Sequence, residues 1–145
     1  LNMAPAQHLE DEYLREVQLL LVNESEAGIL MNRPVENVDQ AKQAAEELSK
    51  FVKGGVIVSL GEKGSYVATH EIHQTVPAFN VKALDSTAAG DVYCGTLATA
   101  LVEGMEPLEA VRFASAAAAI SVTRLGAQPS IPHRKEIEHF LTINI

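Results

Sequence analysis

A chain of 145 residues with 11 Lys+Arg against 19 Asp+Glu carries a formal charge of −8, and 47% of it is hydrophobic against 21% charged. That describes one domain, or one lobe of a larger one, with enough apolar side chain for a core and too few like charges for a disordered segment. No basic stripe follows a phosphate backbone, which argues against nucleic acid as a main partner. No charge-free run reaches the ~20 residues of a membrane span, because Arg112 and Arg124 bracket the most apolar stretch.

In chain order, Asp11 to Gln18 reads as a short helix and Leu19 to Val22 as a buried strand, uncharged and bounded by polar residues. Asn23 stops that strand and stands three positions before Glu26, the sequence form of a helix start leading into Ala27 to Met31. Asn37 or Asp39 opens a helix whose Ala41, Ala44, Ala45, Leu48 and Val52 form a buried stripe, closed by Gly54-Gly55. Val56 to Leu60 is a second buried strand, Gly61-Glu62-Lys63-Gly64 a turn and Ser65 to Thr69 a returning strand. Gln74 to Val76 and Phe79 to Ala83 read as short strands around Pro77. Ala89 to Glu103 and Leu108 to Arg124 are Ala-rich helices separated by Gly104 and Pro107, and Pro132 starts a last helix with Ile137, Phe140 and Leu141 inward. Strand and helix alternating early, with paired helices late, predict an α/β sandwich on a mostly parallel sheet. In such sheets ligands sit beyond the carboxyl ends of strands, which singles out the loops at Asn23, Gly61 and Ala88.

The segment Asp85-Ser86-Thr87-Ala88-Ala89-Gly90-Asp91 runs from a strand end into a long helix. Minimal side chains at Ala88, Ala89 and Gly90 leave the first-turn amides uncovered, so they can meet an anion at the positive end of the helix. A capping explanation for the segment needs one polar side chain. It does not need Gly90, which costs ~1 kcal/mol against Ala inside a helix. Asp91 in the same turn would repel phosphate unless it faces a substrate hydroxyl and takes its proton during transfer.

Asp85 to Asp91 matches the signature D-[ST]-T-x-A-G-D at every constrained position, and through it the chain resembles the ribokinase-like (PfkB-type) carbohydrate kinases. Asn23-Glu24-Ser25-Glu26 matches that family's N-x-x-E element, Ser59 to Gly64 its nucleotide loop, and Gly126-Ala127-Gln128-Pro129-Ser130 its ion-binding segment. The four motifs occur in order across nearly the whole chain.

The resemblance implies a three-layer α/β/α fold and an ATP-dependent transfer of the γ-phosphate to the 5-hydroxyl of D-ribose, giving ribose 5-phosphate. It makes Asp91 the catalytic base that contacts the sugar, with Ala88, Ala89 and Gly90 as the anion hole. Asn23, with Ser59, Leu60, Gly61, Glu62, Lys63 and Gly64, would meet ATP together with Gly90, Asp91 and Ser115, and Glu26 would organise Mg²⁺ through water. Asp85, Thr87, Ser121, Arg124 through its carbonyl, Gly126 and Ser130 would supply oxygens to a potassium ion. Taken alone, Asn23 and Glu26 form a capping box, Gly61 and Gly64 a plain turn, and Ser121 a packing residue. The five histidines show no zinc-site spacing, and Cys94 reads as a small apolar residue of its helix.

What the family uses to grip its sugar, an N-terminal half with a small β lid that also makes a homodimer, has no counterpart in residues 1–145. The expectation is therefore the C-terminal nucleotide-binding and catalytic lobe. Another PfkB-type sugar or nucleoside kinase, or a non-catalytic nucleotide-binding module, is the alternative. The opening Leu1-Asn2-Met3 predicts further residues upstream, and Leu1 to Gln7 lacks the basic cluster and apolar core of a signal peptide. A single cysteine fits a reducing, cytoplasmic setting.

Overall fold

In the computed structural model, which describes residues 1–144, the apolar run after Gln18 forms strand β1 (Leu19–Asn23). A one-turn helix α1 (Asp11–Leu14) precedes it, shorter than the Asp11 to Gln18 predicted. After β1 come α2 (Glu24–Leu30), α3 (Val38–Leu48), β2 (Gly55–Ser59), β3 (Ser65–Thr69) and β4 (His73–Val76), with a 3₁₀ turn at Gly61–Lys63. The chain divides into two units, Leu1–Val76 and the remainder from Pro77, so each is described by itself.

The first unit is a four-stranded sheet in the order β1-β2-β3-β4. The β1–β2 pair is parallel, in register from Leu19↔Gly55 to Asn23↔Ser59, because α2 and α3 supply the crossover that a parallel return requires. The sheet is mixed where a mostly parallel one was predicted: β2–β3 and β3–β4 are both antiparallel. The reason is loop length. Leu60 to Gly64 is closed by Leu60 N donating to Gly64 O at 2.8 Å, too short a link to carry a crossover.

Leu20, Val22, Val56, Val58, Tyr66 and Ala68 on the sheet pack with Ala27, Ala41, Ala44, Ala45 and Leu48 of the helices. The Ala41, Ala44 and Ala45 side chains are fully buried, which is the stripe the sequence spacing predicts. Helix α3 nevertheless stops at Leu48, and Val52 is buried from the turn that follows. Gly54 answers to a close approach instead of a helix end, since a Cβ there would lie 2.2 Å from the Gln18 carbonyl oxygen.

The second unit contains α4 (Ala89–Val102), α5 (Pro107–Val122) and α6 (Arg134–Ile143), with a 3₁₀ turn at Gln128–Ser130. Pro107 occupies the first turn of α5, where its missing N–H removes no helical bond. Ala110, Val111, Ala114, Ala116 and Ala117 have no exposed surface, and such small side chains let α4 and α5 approach closely. Of the residues expected inward on α6, Ile137 is buried, while Phe140 and Leu141 are half-buried. Residues 79–83, predicted as strand, pair with no strand among the described residues. Phe79 instead meets the ring of Phe140 edge-on, with centroids 5.1 Å apart. No helix among the described residues is long and apolar enough to cross a membrane.

Candidate functional site

In the first unit, parallel pairing sets the carboxyl ends of β1 and β2 side by side, so that Asn23 and Ser59 are direct register partners. Two of the expected motifs, separated in sequence by α2 and α3, thereby become neighbours at the sheet end where α/β proteins place ligands. Asn23 Oδ1 accepts from Glu26 N and Glu26 Oε2 accepts from Asn23 N, both at 2.8 Å, which is a complete capping box and contributes about 1 kcal/mol to α2. The cap does not use every polar atom, because the box leaves Glu26 Oε1 and Asn23 Nδ2 without a partner among the described residues. The box holds both side chains at the head of the helix. Ser59 is half-buried and its hydroxyl donates to Val22 O at 3.4 Å.

Beyond Ser59, Leu60 is buried while Gly61, Glu62 and Lys63 are exposed on the 3₁₀ turn. Gly61 (φ 56) and Gly64 (φ 99) take left-handed backbone, so a turn of this shape requires glycine at both ends. Among the described residues no group of three or more His, Cys, Asp or Glu side chains could hold a metal. Glu26 as a single carboxylate fits Mg²⁺, which is commonly held by few carboxylates with water and phosphate completing its shell.

In the second unit, Asp85 and the exit of α5 are brought together across 41 positions of sequence. Asp85 Oδ1 accepts from Thr87 N at 2.9 Å and Oδ2 from Gly126 N at 2.8 Å. The carbonyl of Val122 accepts from both Leu84 N and Asp85 N, an anchor that a reading of side-chain types does not find. The Thr87 side chain, with the Gly126 and Thr87 amides, lowers the Asp85 pKa from 3.8 to about 2. A lowered folded pKa means that the contribution of Asp85 to stability is complete above about pH 4 and is lost as pH falls towards 2. Asp85→Asn is therefore expected to lower the melting temperature at neutral pH and to converge on the unchanged protein near pH 2. A difference that stays constant across thermal melts from pH 2 to 7 would refute that linkage.

Ser121 and Ser130 are both buried, and their hydroxyls donate to Ala118 O and Ala127 O at 2.8 and 2.7 Å, which leaves oxygen lone pairs as their remaining function. No donor among the described residues takes the carbonyl oxygens of Arg124 and Gly126. An all-oxygen donor set with one carboxylate suits a hard, weakly charged cation such as potassium. The Arg124 side chain turns to Glu136, which also accepts from His133 N at 2.7 Å. Arg124 and the His133 amide hold the Glu136 carboxyl below the usual range. Glu136 is a site neighbour that the sequence reading missed, and its only signal was its place three residues after His133, at the start of α6.

Helix α4 starts at Ala89 after Ala88, which adopts left-handed φ of 62°. No acceptor among the described residues takes the amides of Ala88, Gly90 and Asp91. Ala89 departs from the expected open row, because its amide donates to Ser86 O at 3.2 Å, closing a turn. Gly90 has no left-handed φ, and a Cβ there would meet nothing within 4 Å, so neither backbone nor packing within the chain requires glycine. The Asp91 residue is exposed. Ser115, expected near the nucleotide, is buried in α5 and its hydroxyl donates to Val111 O at 2.8 Å, a bond also typical of a packing serine.

The sequence matches the pfkB family of carbohydrate kinases over residues 2–134. It is 44% identical over 141 residues to a ribokinase of Haemophilus influenzae, covering 97% of this chain and 46% of that protein. The fold matches the Arabidopsis thaliana ribokinase solved with ribose and ATP at a TM-score of 0.81 and 36% identity, over 93% of this chain and 44% of that one. It matches phosphofructokinase-2 of Escherichia coli, solved with potassium, at a TM-score of 0.80 and 26% identity, over 90% and 42%. The chain spans about half the length of the curated relatives it matches.

Proposed function

The chain belongs to the pfkB family of carbohydrate kinases, and from that premise we propose that it is the C-terminal, nucleotide-binding and catalytic portion of an ATP-dependent sugar kinase that phosphorylates the 5-hydroxyl of D-ribose. The observation that carries this reading is the start of α4, where exposed Asp91 stands beside Gly90, a glycine that neither φ nor packing requires, and beside amides that have no acceptor among the described residues.

In this reading the amides of Ala88 and Gly90 lie against the migrating phosphoryl group, where preformed dipoles stabilise developing charge. Asp91 accepts the proton of the attacking hydroxyl. Its value as a base comes from placement against that hydroxyl. Asn23 and the turn from Ser59 to Gly64 contact the nucleotide. Glu26 would help hold Mg²⁺, which supplies charge neutralisation to the phosphates when bound. Asp85, Thr87, Ser121, Ser130 and the carbonyls of Arg124 and Gly126 would hold potassium. That relatives were solved with ribose and ATP and with potassium supports the ligands named in this reading.

The test has two arms. Mg-ATP is titrated calorimetrically into the chain, and ADP release is measured with the chain joined to the part of the Haemophilus influenzae ribokinase that its match leaves uncovered. The expected result is ATP binding in both and D-ribose-dependent ADP release in the joined protein, with the phosphate on O5. Binding without ADP release would establish a non-catalytic nucleotide module, and no binding in either would remove the kinase reading.

A further inference from the structure

We propose that Glu136 is a positioning residue for the loop that carries the cation-binding carbonyls, its two carboxylate oxygens tying the loop's entry at Arg124 to its exit at His133. This rests on the reading above that Arg124 and Gly126 offer their carbonyl oxygens, with Asp85, Thr87, Ser121 and Ser130, to potassium.

Backbone carbonyls are useful ligands only when the backbone is fixed, and residues 123–133 lie between two helices with left-handed Gly126 (φ 86) among them. Beside its own local turn bonds, two carboxylates hold this segment. Asp85 accepts from Gly126 N and so pins its middle. Glu136 pins both ends, with Oε2 taking His133 N at 2.7 Å and Oε1 taking Arg124 Nη2, twelve positions back. A helix cap needs only the first of these bonds. The second brings a guanidinium, itself 35% exposed, back to the head of α6 and fixes the residue whose carbonyl is to face the ion. Groups that orient ligands without touching the ion raise its affinity by reducing the ordering left to be done on binding.

The experiment is a thermal melt of the chain against KCl, with choline chloride keeping ionic strength constant. Glu136→Gln keeps an oxygen for His133 N and removes the charge that holds Arg124, while Arg124→Gln leaves the cap untouched. The unchanged chain should show a saturable, potassium-specific rise in melting temperature. Each variant should need about five- to tenfold more potassium to reach half of that rise, and the double variant should be no worse than either single one.

Without potassium, Glu136→Gln should melt within a degree or two of the unchanged chain. If Glu136→Gln does not fold, Arg124→Gln carries the comparison. An unaltered potassium midpoint in Arg124→Gln would reduce Glu136 to a helix cap and overturn the proposal. No potassium-specific rise in the unchanged chain would instead remove the cation reading, and the clamp with it.

Discussion

Asp91→Asn, introduced into the joined kinase, should lower kcat by about a thousandfold or more while Mg-ATP binds at least as tightly. The size follows from removing a general base at the reacting hydroxyl, typically worth 10²–10⁴ in rate. The direction of the binding effect follows from charge. An amide is nearly isosteric with the carboxylate, and it removes a negative group from the end of α4, where the phosphates are to lie. Asp91 is exposed, so the change leaves no buried group unpaired and the fold should persist. Steady-state kinetics and calorimetric ATP titration on the same preparation separate the two effects. Turnover within tenfold of the unchanged enzyme would withdraw the base assignment.

Gly90→Ala should move stability and activity in opposite directions. Alanine is about 1 kcal/mol better than glycine inside a helix. Gly90 has ordinary helical φ, and the added methyl meets nothing within 4 Å, so the isolated chain should melt several degrees higher. The same methyl would project into open space at the first turn of α4, where the Gly90 and Asp91 amides have no acceptor among the described residues. Crowding one donor of an oxyanion-type site costs about 10²–10³ in kcat, and the joined kinase should lose that much. If Gly90→Ala raised stability and left turnover intact, the glycine would have no catalytic explanation. If it lowered stability, the geometry of the first turn given above would be wrong.

The parts of the site that were legible in the sequence are those where local chemistry and spacing coincide. Asn23 and Glu26 at a three-residue interval form the capping box that their types predict. The Ala41, Ala44, Ala45 and Leu48 stripe is buried as its period requires. Gly61 and Gly64 carry the positive φ that a reversing turn demands. Where the reading went astray, a competing tertiary or geometric term decided. The sheet is mixed because the link from Leu60 to Gly64 is too short for a crossover, a constraint of chain geometry that strand composition does not express. The amide of Ala89 is spent on Ser86 because a backbone donor closes a local bond that residue type alone leaves open.

By itself the sequence determined most of the elements, though not their exact ends or the absence of a strand at residues 79–83, together with the buried stripe of α3 and the small side chains at the start of α4, since each depends on residues within one or two helical turns of one another. Tertiary structure decided the pairings: Asn23 beside Ser59 across a parallel register, Asp85 on the amide of Gly126, and Glu136 on Arg124. Such pairs are joined by loop closure and packing across long intervals of chain, and no local propensity encodes which distant partner a given carboxylate or amide will meet.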